Sequence, residues 1–274
     1  MKKIAVITGA SSGIGMEFAK QVSQKYTFDE IWIIARREDR LRSLAENFKD
    51  LRPIAMDVCG KSGVETFKNF LEEEDRKLRA VESGIEIALL INNAGFGTYG
   101  PFAETSVNRQ MEMIDLNCTS VTGICGVALP YMNKGSVIIN TASLAAFLHL
   151  GNFAVYAASK SYVLSFTLAL AAELKDRGIK VSALCPGSVS SEFANVASNG
   201  ARREVKGGFP PQKVVAQCLR RAYSGKKISL YRPKWRFSAF MSRFVGRYFG
   251  ARFTYKYHKR PRTPDTDLQK RAEL

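Results

Sequence analysis

Six short runs of apolar residues, each followed by a longer stretch with helical periodicity, set the rhythm of the chain. Ile4, Ala5, Val6 and Ile7 form the first run, and residues 31–35, 53–56, 87–91, 136–140 and 180–184 supply the others. Runs this short and continuous, without polar alternation, suit strands of a parallel sheet covered on both faces. Residues 16–22, 38–48, 62–79, 105–131, 153–177 and 212–223 read as the helices between them. The third is amphipathic and heavily charged, with a solvated outer face. Gly178 ends the fifth helix, and residues 227–232 read as a last strand. This alternation predicts an α/β protein built on a doubly wound parallel sheet.

Two stretches break the rhythm. Residues 188–209 are rich in serine, glycine and arginine and read as a mobile loop over the carboxyl ends of the strands. The chain also continues past the last strand, so residues 1–232 read as a single domain and 233–274 as an extension. With 274 residues, 46% of them hydrophobic, the chain can bury one large core and is short for two. Met1-Lys2-Lys3 imitates the start of a signal peptide, but the apolar run behind it stops at Thr8-Gly9, too soon for an h-region. No apolar run is expected to span a bilayer. The cysteines Cys59, Cys118, Cys125, Cys185 and Cys218 are odd in number, sit in apolar contexts and include no Cys-x-x-Cys pair. Reduced thiols in a cytoplasmic protein are expected, and no metal site.

Between the first strand and the first helix lies Thr8-Gly9-Ala10-Ser11-Ser12-Gly13-Ile14-Gly15. Glycine permits a sharp turn and lets backbone N–H groups approach a pyrophosphate, whose charge a helix N-terminus favours. Gly9, Gly13 and Gly15 are offset by four and two, whereas the commoner dinucleotide fingerprint is offset by two and three. An ordinary turn can carry the same glycines, so the downstream residues matter. The second strand ends Ala35-Arg36-Arg37, where NAD-preferring enzymes carry an acid for the ribose hydroxyls. Cations there suit a 2′-phosphate and favour NADP over NAD; the alternative is two solvated arginines that open the next helix.

The fourth strand runs into Asn92-Asn93-Ala94-Gly95, small and polar residues at a carboxyl end, where open parallel sheets bind ligands. Ser143 follows the fifth strand, and Tyr156 and Lys160 share a helix face four residues apart. A tyrosine titrates near 10 unaided, and an ammonium one turn away that stabilises its phenolate would make it a usable acid and base. Ser143 could then hydrogen-bond a substrate oxygen on which charge develops. Any one of these residues is unremarkable alone; together, after a glycine turn, they suggest proton exchange with an alcohol or ketone.

From about Lys3 to Gly187, with the sheet completed near Leu230, the chain resembles the short-chain dehydrogenase/reductase family. The resemblance implies a Rossmann-type fold in a single NADP-binding catalytic domain. Gly9, Ser11, Ser12, Gly13, Ile14 and Gly15 match its cofactor turn, Arg36 and Arg37 its NADP-selecting cations, and Asp57-Val58 its adenine contact. Asn93-Ala94-Gly95 matches the motif supporting the sheet beside the cofactor, and Pro186-Gly187 the turn beside the nicotinamide. The family's catalytic tetrad maps to Asn117, Ser143, Tyr156 and Lys160. Asn117 is expected to hold a helix carbonyl and a water that relay protons to Lys160, and Lys160 to hold the nicotinamide ribose as well. A dimer or tetramer is also implied.

The formal net charge is +16, and its location is uneven. Residues 205–264 hold 16 Lys or Arg and no Asp or Glu, so the remaining 25 basic and 25 acidic residues cancel. Within that span Phe237, Phe240, Met241, Phe244, Val245, Tyr248 and Phe249 recur at three and four, with Arg243 and Arg247 off the stripe. One helix over residues 234–252 is predicted. A basic amphipathic helix with aromatic residues suits an anionic membrane surface; the alternative is packing on the protein's own body or a second subunit. Nucleic acid is not expected, since no binding motif accompanies the charge. The expected activity is NADP-dependent interconversion of a secondary alcohol and a ketone on a lipophilic molecule, of hydroxysteroid or 3-oxoacyl type. The competing expectation is an NADP-binding regulatory or scaffolding protein that the tail directs to a membrane.

Overall fold

The computed structural model describes residues 1–81, 84–203 and 207–264, so the last ten residues of the 233–274 extension lie outside the described residues. Seven parallel strands form one sheet among the described residues: β1 (Lys2–Thr8), β2 (Glu30–Ala35), β3 (Leu51–Ala55), β4 (Ile85–Asn92), β5 (Val137–Thr141), β6 (Lys180–Leu184) and β7 (Ile228–Ser229). Their order is β3-β2-β1-β4-β5-β6-β7. The direction of winding reverses between β1 and β4, which leaves a crevice at their carboxyl ends.

The strands are continuously apolar because both faces are covered. Ala5 and Ile7 point to the layer of α1 (Gly13–Lys25), α2 (Glu38–Ala45) and α8 (Pro211–Tyr223), where Phe18, Leu41, Val215 and Leu219 are buried. Ile4 and Val6 point to the layer of α3 (Gly60–Arg79), α5 (Ser120–Ala128) and α6 (Ala154–Glu173), against Phe67, Leu71, Ile124 and Leu170. Each such fully buried side chain contributes about 1.5–3 kcal/mol relative to exposure. Against expectation, the helical stretches Val107–Tyr131 and Ala154–Glu173 are long and apolar enough to cross a membrane. Here their inward faces cover the sheet instead.

Four predicted elements differ. The long helix over 105–131 is divided into α4 (Val107–Ile114), a π turn at Asp115–Thr119, α5, and a 3₁₀ turn at Leu129–Tyr131. The Asp115 carbonyl accepts from both the Ser120 N–H and the Ser120 hydroxyl, the latter at 2.8 Å, which widens the turn by one residue. The last strand shrinks from six residues to two, since Arg221 donates to the Ile228 carbonyl and Arg236 to the Leu230 carbonyl. The single helix over 234–252 is two, α9 (Pro233–Met241) and α10 (Arg247–Tyr257), with Gly246 as the N-cap of the second. Trp235 and Ala239 bury one face of α9, while α10 seats on the turn at Gly151 and Asn152. One straight helix could not meet both anchors. The stretch expected as a mobile loop carries α7 (Phe193–Ala197) and is tied to its own far end by a parallel bridge between Val189 and Phe209.

Candidate active site

The turn after β1 is shaped to admit an anion. Gly9 and Gly13 have φ of +68° and +54°, and a Cβ on Gly15 would lie 2.1 Å from the Gly9 carbonyl oxygen. Only glycine lets the start of α1 approach the end of β1 so closely. Ser12 occupies the N-cap position of α1 without capping it; its Oγ accepts from Arg37 at 3.0 Å, as does Ser11 Oγ. The first N–H groups of α1 therefore have no side-chain cap, and with the helix dipole they make a cradle that suits an anion such as phosphate. Ile14 packs beneath the turn onto the core. Asn93 Nδ2 donates to the Thr8 and Gly9 carbonyls, Thr8 Oγ1 accepts from Asn93 and Ala94 N–H, and Thr141 Oγ1 donates to Asn93 Oδ1. These bonds fix the ends of β1, β4 and β5 around the crevice. A dinucleotide fits this arrangement of cradle and strand ends.

The two arginines after β2 behave differently. Arg36 is three-quarters exposed, with Asp57 as its ion-pair neighbour at 4.0 Å. Arg37 is engaged: besides Ser11 and Ser12 it holds Glu192 at 2.9 Å, and Arg40 pairs with the same carboxylate. Burial would raise the Glu192 carboxyl, but bonds from Arg40, Arg37 and Ser12 hold it below the usual range. The stretch after β6 is thus latched to the cofactor turn. Val58 is buried beneath Asp57, whose Oδ1 accepts from Cys59 N–H.

Deeper in the crevice, Tyr156 is buried and stacks on Phe153 at 4.2 Å between ring centroids, with Phe193 at 5.3 Å. Ser143 is within hydrogen-bonding reach of the Tyr156 hydroxyl, donates to the Pro186 carbonyl and accepts from Ala145 N–H. Lys160 donates to the Thr141 carbonyl at 2.8 Å, and its Nζ lies 5.8 Å from the Tyr156 ring centroid. Burial pushes the Tyr156 phenol up to about 12, although Ser143 and Arg260 act to lower it, and pushes Lys160 down to about 8. The expectation that the Lys160 ammonium draws the phenol down does not hold for this arrangement. Desolvation dominates both groups, and Lys160 is turned to a backbone carbonyl rather than to the phenol.

Asn117 lies in the π turn. Its Oδ1 accepts from Phe96 N–H at 3.1 Å, and its Nδ2 donates to the Phe96 carbonyl and to Ser159 Oγ. It touches the residue before Lys160, not Lys160 itself. A Cβ on Gly95 would come within 2.7 Å of Asn117 Oδ1 and 3.3 Å of Lys160 Nζ, so this glycine opens the space they share. Pro186 and Gly187 border Ser143, and a Cβ on Gly187 would strike the Trp235 ring at 2.5 Å.

A sequence model of the short chain dehydrogenase family matches residues 3–201. The chain belongs to the short-chain dehydrogenase/reductase family. This short-chain dehydrogenase/reductase is 32% identical over 209 residues to an oxidoreductase of Staphylococcus epidermidis, a match covering 75% of this chain and 86% of the relative. It is 30% identical over 203 residues to a very-long-chain 3-oxoacyl-CoA reductase of Rattus norvegicus, over 70% of this chain and 61% of that protein. A short-chain dehydrogenase/reductase of Burkholderia phymatum, solved with NAD, superposes with a TM-score of 0.77 at 22% identity, covering 97% of this chain and 98% of that one. A short-chain dehydrogenase of Sphingobium yanoikuyae, solved with NADPH, gives 0.71 at 23% identity over 88% and 93%. The protein is an oxidoreductase acting on CH–OH and C=O groups.

Several residues of this short-chain dehydrogenase/reductase site are absent from the sequence reading. Phe153, three residues before Tyr156 on the same face, was detectable from helical spacing. Glu192, Phe193, Trp235 and Arg260 reach the site from far along the chain, and nothing in their local pattern marks them.

Proposed function

We propose that the protein is an NADP(H)-dependent oxidoreductase that interconverts a secondary alcohol and a ketone on a lipophilic substrate, of hydroxysteroid or 3-oxoacyl type. The observation that carries the reading is the Tyr156 phenol, buried in an aromatic wall and aimed at Ser143 beside the glycine cradle. Tyr156 gives a proton to, or takes one from, the substrate oxygen, and Ser143 donates a hydrogen bond to that oxygen as charge develops on it. The nicotinamide supplies or accepts the hydride when bound. Lys160, whose ammonium burial brings down to about 8, returns a proton on the cofactor side of the crevice. Asn117 acts as a positioning residue through Phe96 and Ser159.

Preference for NADP(H) is supported by Arg36, the exposed cation at the end of β2, and by the lack of an acid at Ala35. A lipophilic substrate is supported by the cluster of Phe96, Tyr99, Met113, Leu150, Phe153 and Phe193 around Tyr156. The reductase named above as acting on 3-oxoacyl-CoA points the same way. A second copy of the chain is proposed to cover the open groove of about 620 Å³ at Ile114, Cys118, Thr122 and Tyr162. The protein is proposed to be cytoplasmic and peripheral to a membrane. A scaffolding role would require no Tyr156–Ser143 pair. A screen of hydrophobic ketones against NADPH and NADH tests the reading; turnover with NADPH supports it, and NADPH binding without turnover of any ketone or alcohol favours the scaffold.

A further inference from the structure

The end of the described chain returns to the substrate side of the crevice. After α10, residues 258–264 cross from one wall to the other and are pinned at both ends. On one side Gly151 N–H donates to Thr254 Oγ1 at 2.9 Å, and Asn152 Nδ2 donates to the Thr254 and Tyr255 carbonyls. On the other, Thr263 N–H donates to the Ser198 carbonyl at 3.0 Å, and Asn199 Nδ2 donates to the Thr263 carbonyl. Gly151 has no room for a side chain, since a Cβ there would lie 2.4 Å from Tyr255 Cβ. The segment is therefore seated on the body at built contacts.

Between the two anchors stands Arg260. Its guanidinium lies 4.8 Å above the Tyr99 ring and 5.2 Å above the Phe153 ring, and Phe153 itself stacks on Tyr156. The cation is near enough to the phenol to act on its titration. Stacking uses the flat face of a guanidinium and leaves its N–H edge for other partners. Among the described residues no carboxylate pairs with Arg260, and its side chain opens to solvent at the rim of the aromatic cluster. A fixed cation with free donors, one aromatic ring away from the reacting tyrosine, has the form of a binding group for a charged substituent.

Resting on the oxidoreductase reading of Tyr156, we propose that Arg260 is a specificity-determining residue: the site takes a ketone or alcohol whose apolar body lies against Tyr99 and Phe153 and which carries an anionic group, carboxylate or phosphate ester, held by Arg260. The aromatic wall accepts the hydrocarbon, and the guanidinium meets the oxygens at the mouth in bidentate fashion. The extension thereby supplies a substrate contact that the matched family region, residues 3–201, does not contain.

The test uses the full chain saturated with NADPH and unreactive probes, octanoate, octyl phosphate and octanol, titrated by cofactor fluorescence. Wild type is expected to bind either anion at least tenfold more tightly than octanol. Arg260→Gln is expected to weaken both anions at least tenfold more than octanol, so that the preference is lost, and Arg260→Lys to retain part of it. Retention for one anion alone assigns the group as carboxylate or phosphate. Absence of any preference in wild type, survival of the preference in Arg260→Gln, or equal weakening of all three probes would overturn the proposal. Because binding is read without turnover, Tyr156→Phe should keep the anion preference; a protein that shows the preference yet turns over no ketone or alcohol counts against the reading of Tyr156 as the reacting group and not against this one.

Discussion

At the scale of single residues, the site is governed by burial acting on opposite kinds of charge. Burial brings Lys160 down to about 8 in the folded chain, from about 10.5 for a solvated lysine. The cost of burying its charge is thus complete below about pH 8 and vanishes as the pH rises past about 10.5. Removing the amine with Lys160→Met is expected to shift stability in a pH-dependent way, its relative benefit being up to about 3 kcal/mol greater at pH 7 than above pH 10.5. Denaturant titrations of both proteins at the two pH values measure this difference; a difference independent of pH contradicts it. The neighbouring claim concerns Arg36. Arg36→Ala is expected to raise KM for NADPH about tenfold or more and to leave KM for NADH nearly unchanged, the value of one charge-assisted contact at about 1.5–3 kcal/mol. Equal effects on the two cofactors would assign the selectivity elsewhere, with Arg37 as the first alternative once Glu192 releases it.

At the scale of elements, α9 shows how an apparent appendage can belong to the core. Trp235 is buried among Leu184, Val189 and Phe209, and it stands where only a glycine at 187 leaves space. Trp235→Ala is expected to cost about 3–5 kcal/mol, readable as a lowered Tm, and to disturb the Pro186-Gly187 turn. A change below about 1 kcal/mol would mean that α9 is only loosely attached. The strands and most helices were legible because their signal is local: buried runs for β1 to β6, amphipathic periodicity for α3 and α8, a glycine turn with forced backbone geometry. Ser143, Tyr156 and Lys160 stood out by residue type and order, whereas Asn117 stood out only through the family resemblance. The π turn was not, because it depends on one serine hydroxyl meeting Asp115, and the broken extension was not, because two distant anchors set the angle between its helices. The depressed Lys160 and raised Tyr156 were also invisible, since desolvation is a property of the packed interior and spacing alone suggested mutual stabilisation.

For the whole molecule, the uneven charge now has a surface. Phe237, Phe240, Phe244, Tyr248 and Phe249 are exposed on α9, α10 and the turn between them, beside Arg243 and Arg247 and away from the buried Trp235. The stripe does not lie against the chain's own core. We expect full-length protein to cosediment with anionic vesicles at low salt, less at high salt and little with neutral lipid, each basic residue at the surface contributing about 1 kcal/mol. Replacing Phe244 and Phe249 by Ser should weaken this by removing apolar burial without touching Trp235; salt-insensitive binding contradicts the electrostatic part. The central claim, however, is that the crevice between β1 and β4 reduces a carbonyl through Tyr156. The most direct measurement compares NADPH consumption by wild type and Tyr156→Phe on the best ketone from the screen, with the NADPH dissociation constant measured for both. The account predicts loss of turnover by at least about a hundredfold with cofactor affinity nearly unchanged, the effect of deleting a proton donor. Turnover that survives the substitution would show that Tyr156 is not the acid and that the reaction is carried by another group.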